Sequence, residues 1–172
     1  MNVGKKFEND FKKSIPDNIL LFRLPDAAQA FGGGNLRFSR KNPFDYLLFN
    51  SDRGILFALE LKTVKNKTIS FERSYSDHGD IHYHQIVGLN MYKDFDNVTC
   101  GFIIEFREIE LTIFIDINEF NRLLDIIPKK SFNVNDLSKY EIKYTVIPQR
   151  LVRTRYRYDI NNIIDDVSQI RQ

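Results

Sequence analysis

The chain has 172 residues, 25 Lys and Arg against 23 Asp and Glu, and a net charge of +2, long enough for one domain to bury roughly two-thirds of its unfolded surface without disulfide help. Its single Cys100 excludes an intramolecular disulfide, and with no paired CxxC or His/Cys spacing nothing suggests zinc, so a reducing, cytosol-like compartment is expected. No run approaches about 18 apolar residues, and the opening MNVGKKFENDFKK is too charged for a secretory signal, so the reading is cytoplasmic with no membrane partner.

In chain order, Phe7, Phe11 and Ile15 recur at helical spacing and predict an amphipathic helix ended by Pro16. NILLFRL reads as a strand. Pro25 to Pro43 has no period and holds three consecutive glycines, so it is expected to be a short stalk or loop excursion. FDYLLF and GILFALELK predict two strands joined by the turn-rich NSDRG. SFERSYSDHGDI is polar and is expected to be a mobile loop. HYHQIVGLNMYKDF predicts a second helix, and VTCGFIIEF and LTIFIDI two further strands. NEFNRLLDII opens with an Asn suited to capping a short helix. Last come a strand in YEIKYTVI, a basic-aromatic run and a polar helix in INNIIDDVSQI, with the segment 148–172 closing the chain. This order predicts one α/β domain spanning 1–172, with a central mixed β-sheet flanked by helices.

Along ILFALELK the strand period places Leu56, Ala58, Glu60 and Lys62 on one face. Counting outward from the turn pairs Asp45 with Leu59 or Glu60, so a second carboxylate arrives at the same end of the sheet. Unpaired charge inside so apolar a strand is costly. Two convergent carboxylates beside an ammonium supply the parts of a hard-metal hydrolytic site for Mg²⁺, with Mn²⁺ able to substitute. The plainer alternative is that these charges mark where the sheet meets solvent. Glu8 in the first helix could add a further carboxylate, or lie on the surface. Gln85 could hydrogen-bond the attacking water or the substrate, or serve as a cap. His82 and His84 have poor spacing for shared ligation on a helix and read as loop or DNA-facing residues. Lys5, Lys65 and Lys67, together with Arg153, Arg155 and Arg157 around Tyr156 and Tyr158, are candidate DNA contacts, because basic residues interleaved with aromatics suit phosphate contact and stacking. The alternative for the arginines is pairing with Asp159, Asp165 and Asp166.

The ordered set GKKFENDF, NPFDY, FALELKTVKNKTISF, HQIVGLNMY and GFIIEF resembles the RecU family of Holliday junction resolvases from Gram-positive bacteria and their phages, within the PD-(D/E)xK nuclease superfamily. The resemblance covers roughly residues 4–24 and 42–116. It implies a restriction-endonuclease-like fold and a homodimeric, Mg²⁺-dependent endonuclease that resolves Holliday junctions, four-way branched DNA, by symmetric nicking in recombination and repair. Under it Asp45 and Glu60 match the metal-binding carboxylates, Lys62 the catalytic lysine, Gln85 the motif glutamine and Glu8 the helix glutamate that completes many such sites. The sequence departs from the family in its short, Gly-rich 25–43 segment, in Phe44 where a Thr is usual, and in its tail after about Ile117. Exposed apolar residues on the first helix or on LTIFIDI are the expected source of a dimer contact. Two alternatives stay open: another nuclease of the superfamily, restriction-type or a single-strand exonuclease, and a non-catalytic DNA-binding accessory protein of recombination.

Overall fold

A computed structural model describes residues 2–25 and 42–170, so most of the expected stalk over 25–43 lies outside the described residues. The helix α1 (Val3–Lys12) is capped by the Asn2 side chain, which accepts from the Gly4 N–H at 3.0 Å. It buries Phe7 and Phe11 against the sheet, as their spacing requires. The strands β1 (Ile19–Arg23), β2 (Tyr46–Asn50) and β3 (Ile55–Val64) form an antiparallel meander, with Leu21 opposite Leu48 and Leu48 opposite Phe57.

From β3 the chain passes through the short β4 (Thr68–Ser70) and α2 (Tyr83–Asn90) before entering β5 (Val98–Phe106), which lies parallel to β3. A parallel neighbour needs such a crossover, and a helix supplies it. The antiparallel β6 (Leu111–Asp116) follows, then α3 (Ile117–Ile126), β7 (Ser131–Asn133), α4 (Val134–Lys139) and β8 (Thr145–Val146). The hairpin β9 (Gln149–Val152) and β10 (Arg155–Tyr158) and the helix α5 (Asn161–Ile170) complete the chain. The result is the expected mixed sheet flanked by helices, six-stranded in the order β1-β2-β3-β5-β6-β8, with a two-stranded β4-β7 sheet and the β9-β10 hairpin beside it. Among the described residues no helix is long and apolar enough to cross a membrane.

The alternation along β3 splits the core in two. Ala58 and Val64 pack toward α2, α3 and α4 with Phe71, Phe102, Phe120 and Phe132, while Phe57, Leu59 and Leu61 pack toward α1 and α5 with Phe7, Phe11, Ile163 and Ile164. Glu60 and Lys62 thus share a face with the first of these layers.

Several local expectations change. The residue that caps α3 is Asp116, whose side chain accepts from the Asn118 N–H at 2.8 Å, two residues earlier than an Asn118 cap. The C-terminal helix is amphipathic: its polar composition conceals Ile163, Ile164 and Val167 on a buried face. Of the two surfaces expected to carry a dimer contact, the first helix turns Phe7 and Phe11 to the core and exposes Val3, while LTIFIDI is an internal strand with Ile113 to Ile115 buried. The exposed large apolar residues of the six-stranded sheet are Leu20 and Phe22 of β1, Phe49 of β2 and Val146 of β8.

Candidate active site

Asp45 sits one residue before β2. Its backbone N–H donates to the Leu59 carbonyl at 3.1 Å, and its Oδ2 accepts the Leu61 N–H at 2.9 Å. The strand register, Tyr46 opposite Leu59, continues to put Asp45 opposite Glu60. Both contacts hold the Asp45 carboxylate against the stretch of β3 that carries Glu60.

Glu60 is buried, with 4% of its side chain exposed, and Lys62 Nζ lies 3.1 Å from its Oε1. Burial pushes the Glu60 carboxyl up to about 8; the Lys62 ammonium pulls it down, while the negative charges of Asp45 and, more weakly, Glu8 push it further up. The three carboxylates therefore feel one another.

Gln85 joins the group from α2. Its Oε1 accepts the His82 N–H at 2.9 Å, closing the first turn of the helix, and its Nε2 donates to Glu60 Oε1. A backbone N–H cannot accept, so the His82 contact fixes which way the amide points and turns Nε2 toward Glu60. The cap and the site contact, alternatives at the sequence level, are the two ends of one side chain. α2 is set close against the entry to β2: a Cβ on Gly88 would lie 2.6 Å from Pro43 Cα and from its carbonyl oxygen, so only glycine admits this approach. That contact brings Gln85 and Asp45 to the same end of the sheet.

Glu8 reaches the site's margin from α1, on the other face. Its Oε2 lies 3.3 Å from Arg23 Nε of β1. The Tyr46 hydroxyl, near enough to feel Glu8, Arg23 and Asp45, is pushed up to about 12, chiefly by burial and then by Glu8, against the pull of Arg23. Sequence reasoning missed Arg23 as the partner of Glu8; the signal lies in the alternation of β1, which aligns Ile19, Leu21 and Arg23 on the α1 side.

A second missed pair supports α2. Glu72, buried after β4, accepts the Tyr83 N–H at 2.7 Å through Oε2, and its Oε1 lies 2.8 Å from His82 Nδ1. Burial raises the Glu72 carboxyl, but these His82 and Tyr83 contacts outweigh it and hold the group below the usual range. The His82 and His84 rings stack at 5.5 Å.

The expected DNA contacts take different positions. Lys5 is exposed on α1; Lys65 and Lys67 are exposed just beyond Lys62, with Lys67 Nζ 3.9 Å from Glu108. In the β9-β10 hairpin Arg157 stands opposite Arg150 and Arg155 opposite Val152, so these residues share one face, while Tyr156 and Tyr158 take the other. Arg153 is exposed at the turn between the two strands. Pairing with the C-terminal acidic run is not what the hairpin shows: Arg155 Nη1 lies 3.5 Å from Asp10 of α1, while Asp165 meets Arg53 and Asp166 accepts from Thr145.

Two carboxylates with hard oxygen donors, one of them pushed toward protonation chiefly by burial and then by the charge of the other, fit a hard divalent cation that relieves their repulsion and retains water or phosphate oxygens as further ligands. Among the described residues no group of three or more His, Cys, Asp or Glu side chains is placed to hold a metal ion together.

No model of a known protein family matches the sequence. Among solved structures, Hjc, a Holliday junction resolvase of Archaeoglobus fulgidus, is similar over 79% of this chain and 93% of its own, with a TM-score of 0.47 and 13% identity. Among curated proteins, the SPbeta prophage-derived uncharacterized protein YotM of Bacillus subtilis (strain 168) is 31% identical over 182 aligned residues, which span 99% of this chain and 89% of YotM. The chain belongs to the family of this prophage protein.

Proposed function

We propose that the protein is a Mg²⁺-dependent endodeoxyribonuclease of the PD-(D/E)xK type that nicks four-way DNA junctions symmetrically in recombination and repair. The observation that carries the reading is Glu60: a carboxyl buried in an apolar strand, facing Asp45 and gripped by both Lys62 and Gln85. A surface ion pair needs no such arrangement. The ordered motifs shared with the RecU family support the choice of substrate.

In this reading Asp45 and Glu60 hold the cation, with Glu8 as a further carboxylate arriving from α1. The bound cation supplies positive charge against the phosphoryl oxygens and acidifies an attacking water. Lys62 orients that water and stabilises charge developing on the phosphate. Gln85 keeps the Glu60 carboxylate in one orientation, so that little reorganisation is needed in the transition state. Lys5, Lys65 and Lys67, with Arg153, Arg155 and Arg157, contact DNA phosphates. Two symmetric cuts call for a two-fold homodimer with one site per subunit.

The test is incubation of purified protein with a labelled static four-way junction, linear duplex and single strands, with Mg²⁺, with Mn²⁺ and in EDTA. Paired nicks in the junction alone, dependent on metal, are expected. Cleavage of linear duplex or single strands with equal efficiency assigns a different nuclease of the same type, and binding without nicking in any metal removes the enzyme reading.

A further inference from the structure

The polar run after β4, expected to be mobile, is heavily pinned. The Arg73 guanidinium donates to the carbonyls of Leu124 and Ile127 at 2.6 Å, and Asp77 accepts the Arg73 N–H at 2.9 Å and meets Lys130 Nζ at 2.6 Å. Asp80 Oδ2 accepts from both the N–H and the hydroxyl of Ser70. The two ends of the loop meet through Glu72 N–H donating to the Ile81 carbonyl at 2.9 Å, and a Cβ on Gly79 would lie 2.8 Å from the Phe71 carbonyl carbon, so the return is closed by backbone contact.

What this scaffold presents is a ring. Tyr75 is 74% exposed, and its ring meets that of Tyr83 edge-on at 4.9 Å and 90°. Tyr83 stands two residues before Gln85 in α2, and its N–H is held by Glu72. An aromatic side chain held in place in water, at the N-terminal end of the helix that carries Gln85, has already lost much of the freedom that binding would remove. Its loop neighbours Ser74, Ser76, Asp77 and His78 are polar, and Asp77 is neutralised by Lys130. The setting lacks the aliphatic surroundings of a protein-interface core, whereas a nucleobase needs only a flat face and a polar rim.

We propose that Tyr75, braced by Tyr83, is a stacking platform for an unstacked nucleobase of the bound DNA. The inference rests on the nuclease reading for its ligand and adds to it a base contact at the N-terminal end of α2, the helix that carries Gln85. Stacking on a ring is tolerant of base identity, so the platform recognises an opened strand rather than a sequence.

The experiment is a cycle between protein and DNA, run in EDTA so that cleavage is not required. Affinity for a four-way junction is measured for the wild type, Tyr75→Ala and Tyr75→Phe, and again on junctions with a single abasic site stepped around the branch. Tyr75→Ala should weaken binding to the intact junction about tenfold, Tyr75→Phe should bind like the wild type, and the tenfold difference should vanish at one abasic position. Unchanged binding by Tyr75→Ala, an equal loss in Tyr75→Phe, or a loss that persists at every abasic position overturns the platform. Mg²⁺-dependent nicking, scored separately, keeps the two claims apart: nicking with unaltered Tyr75→Ala binding refutes the platform alone, and a positive cycle without nicking refutes the nuclease alone.

Discussion

Replacing Glu60 by glutamine keeps the shape of the side chain and both of its hydrogen-bond partners, since an amide oxygen still accepts from Gln85 Nε2 and Lys62 Nζ. What it removes is a charge that the fold resists. The carboxyl titrates near 8 in the folded protein against an ordinary value of 4.5. The folded state therefore holds a proton between those two pH values that the unfolded chain has released, and stability falls as pH rises through this window. Full ionisation of a group 4% exposed costs about 5 kcal/mol by that difference. Relaxation around the charge lowers the cost that is realised, and a difference of roughly 2 to 5 kcal/mol is expected at pH 9. Urea unfolding in EDTA measures it. With a slope of about 2 kcal/mol per molar, the Glu60→Gln midpoint should lie roughly 1 to 2.5 M above wild type at pH 9. The two midpoints should converge at pH 5. A wild type as stable as the variant at pH 9, or a gap of the same size at both pH values, would refute the argument that Glu60 is a destabilised buried charge.

Lys62→Ala should lose at least about a hundredfold in cleavage rate even at saturating Mg²⁺, measured in single-turnover assays, because the ammonium acts on the water and the phosphate rather than on metal affinity; full recovery with excess Mg²⁺ would make it a structural lysine. Neutralising Arg150 and Arg157, which share the outer face of the hairpin, should weaken binding to every DNA shape and flatten the salt dependence by about two units. An unchanged slope would place DNA elsewhere. Tyr158→Phe deletes the hydroxyl that donates to the buried Glu105 at 2.8 Å, and should lower stability by about 1 to 3 kcal/mol in urea unfolding. No loss would mean that Glu105 finds another donor.

Much of the site was legible because strand arithmetic is rigid. A period of two puts Glu60 and Lys62 on one face, and a tight hairpin fixes Asp45 opposite Glu60 to within a residue. Gln85 was visible as a candidate, but its double use was not, because whether an amide caps a helix or grips a carboxylate depends on a crossover of eighteen residues between β3 and α2. The loop after β4 misled for the opposite reason: its residues are polar, yet Arg73, Asp77 and Asp80 spend that polarity on Leu124, Ile127, Lys130 and Ser70, partners invisible in a local window. The short strands β4 and β7, and the brief helix α4, have too few residues to show a period and exist through pairing and packing with distant elements. Arg155 likewise found Asp10, across almost the whole chain, rather than the acidic residues that follow it in sequence.

The most direct test of the central claim compares wild type with Asp45→Ala on one labelled four-way junction. Binding is measured in EDTA and cleavage after Mg²⁺ is added, with circular dichroism confirming that both proteins are folded. The account predicts that the wild type makes two symmetric nicks, and that Asp45→Ala binds at least as tightly, having lost a negative charge facing the phosphates, yet cuts nothing. Undiminished nicking by Asp45→Ala, or a wild type that binds the junction and leaves it intact in both Mg²⁺ and Mn²⁺, would contradict it.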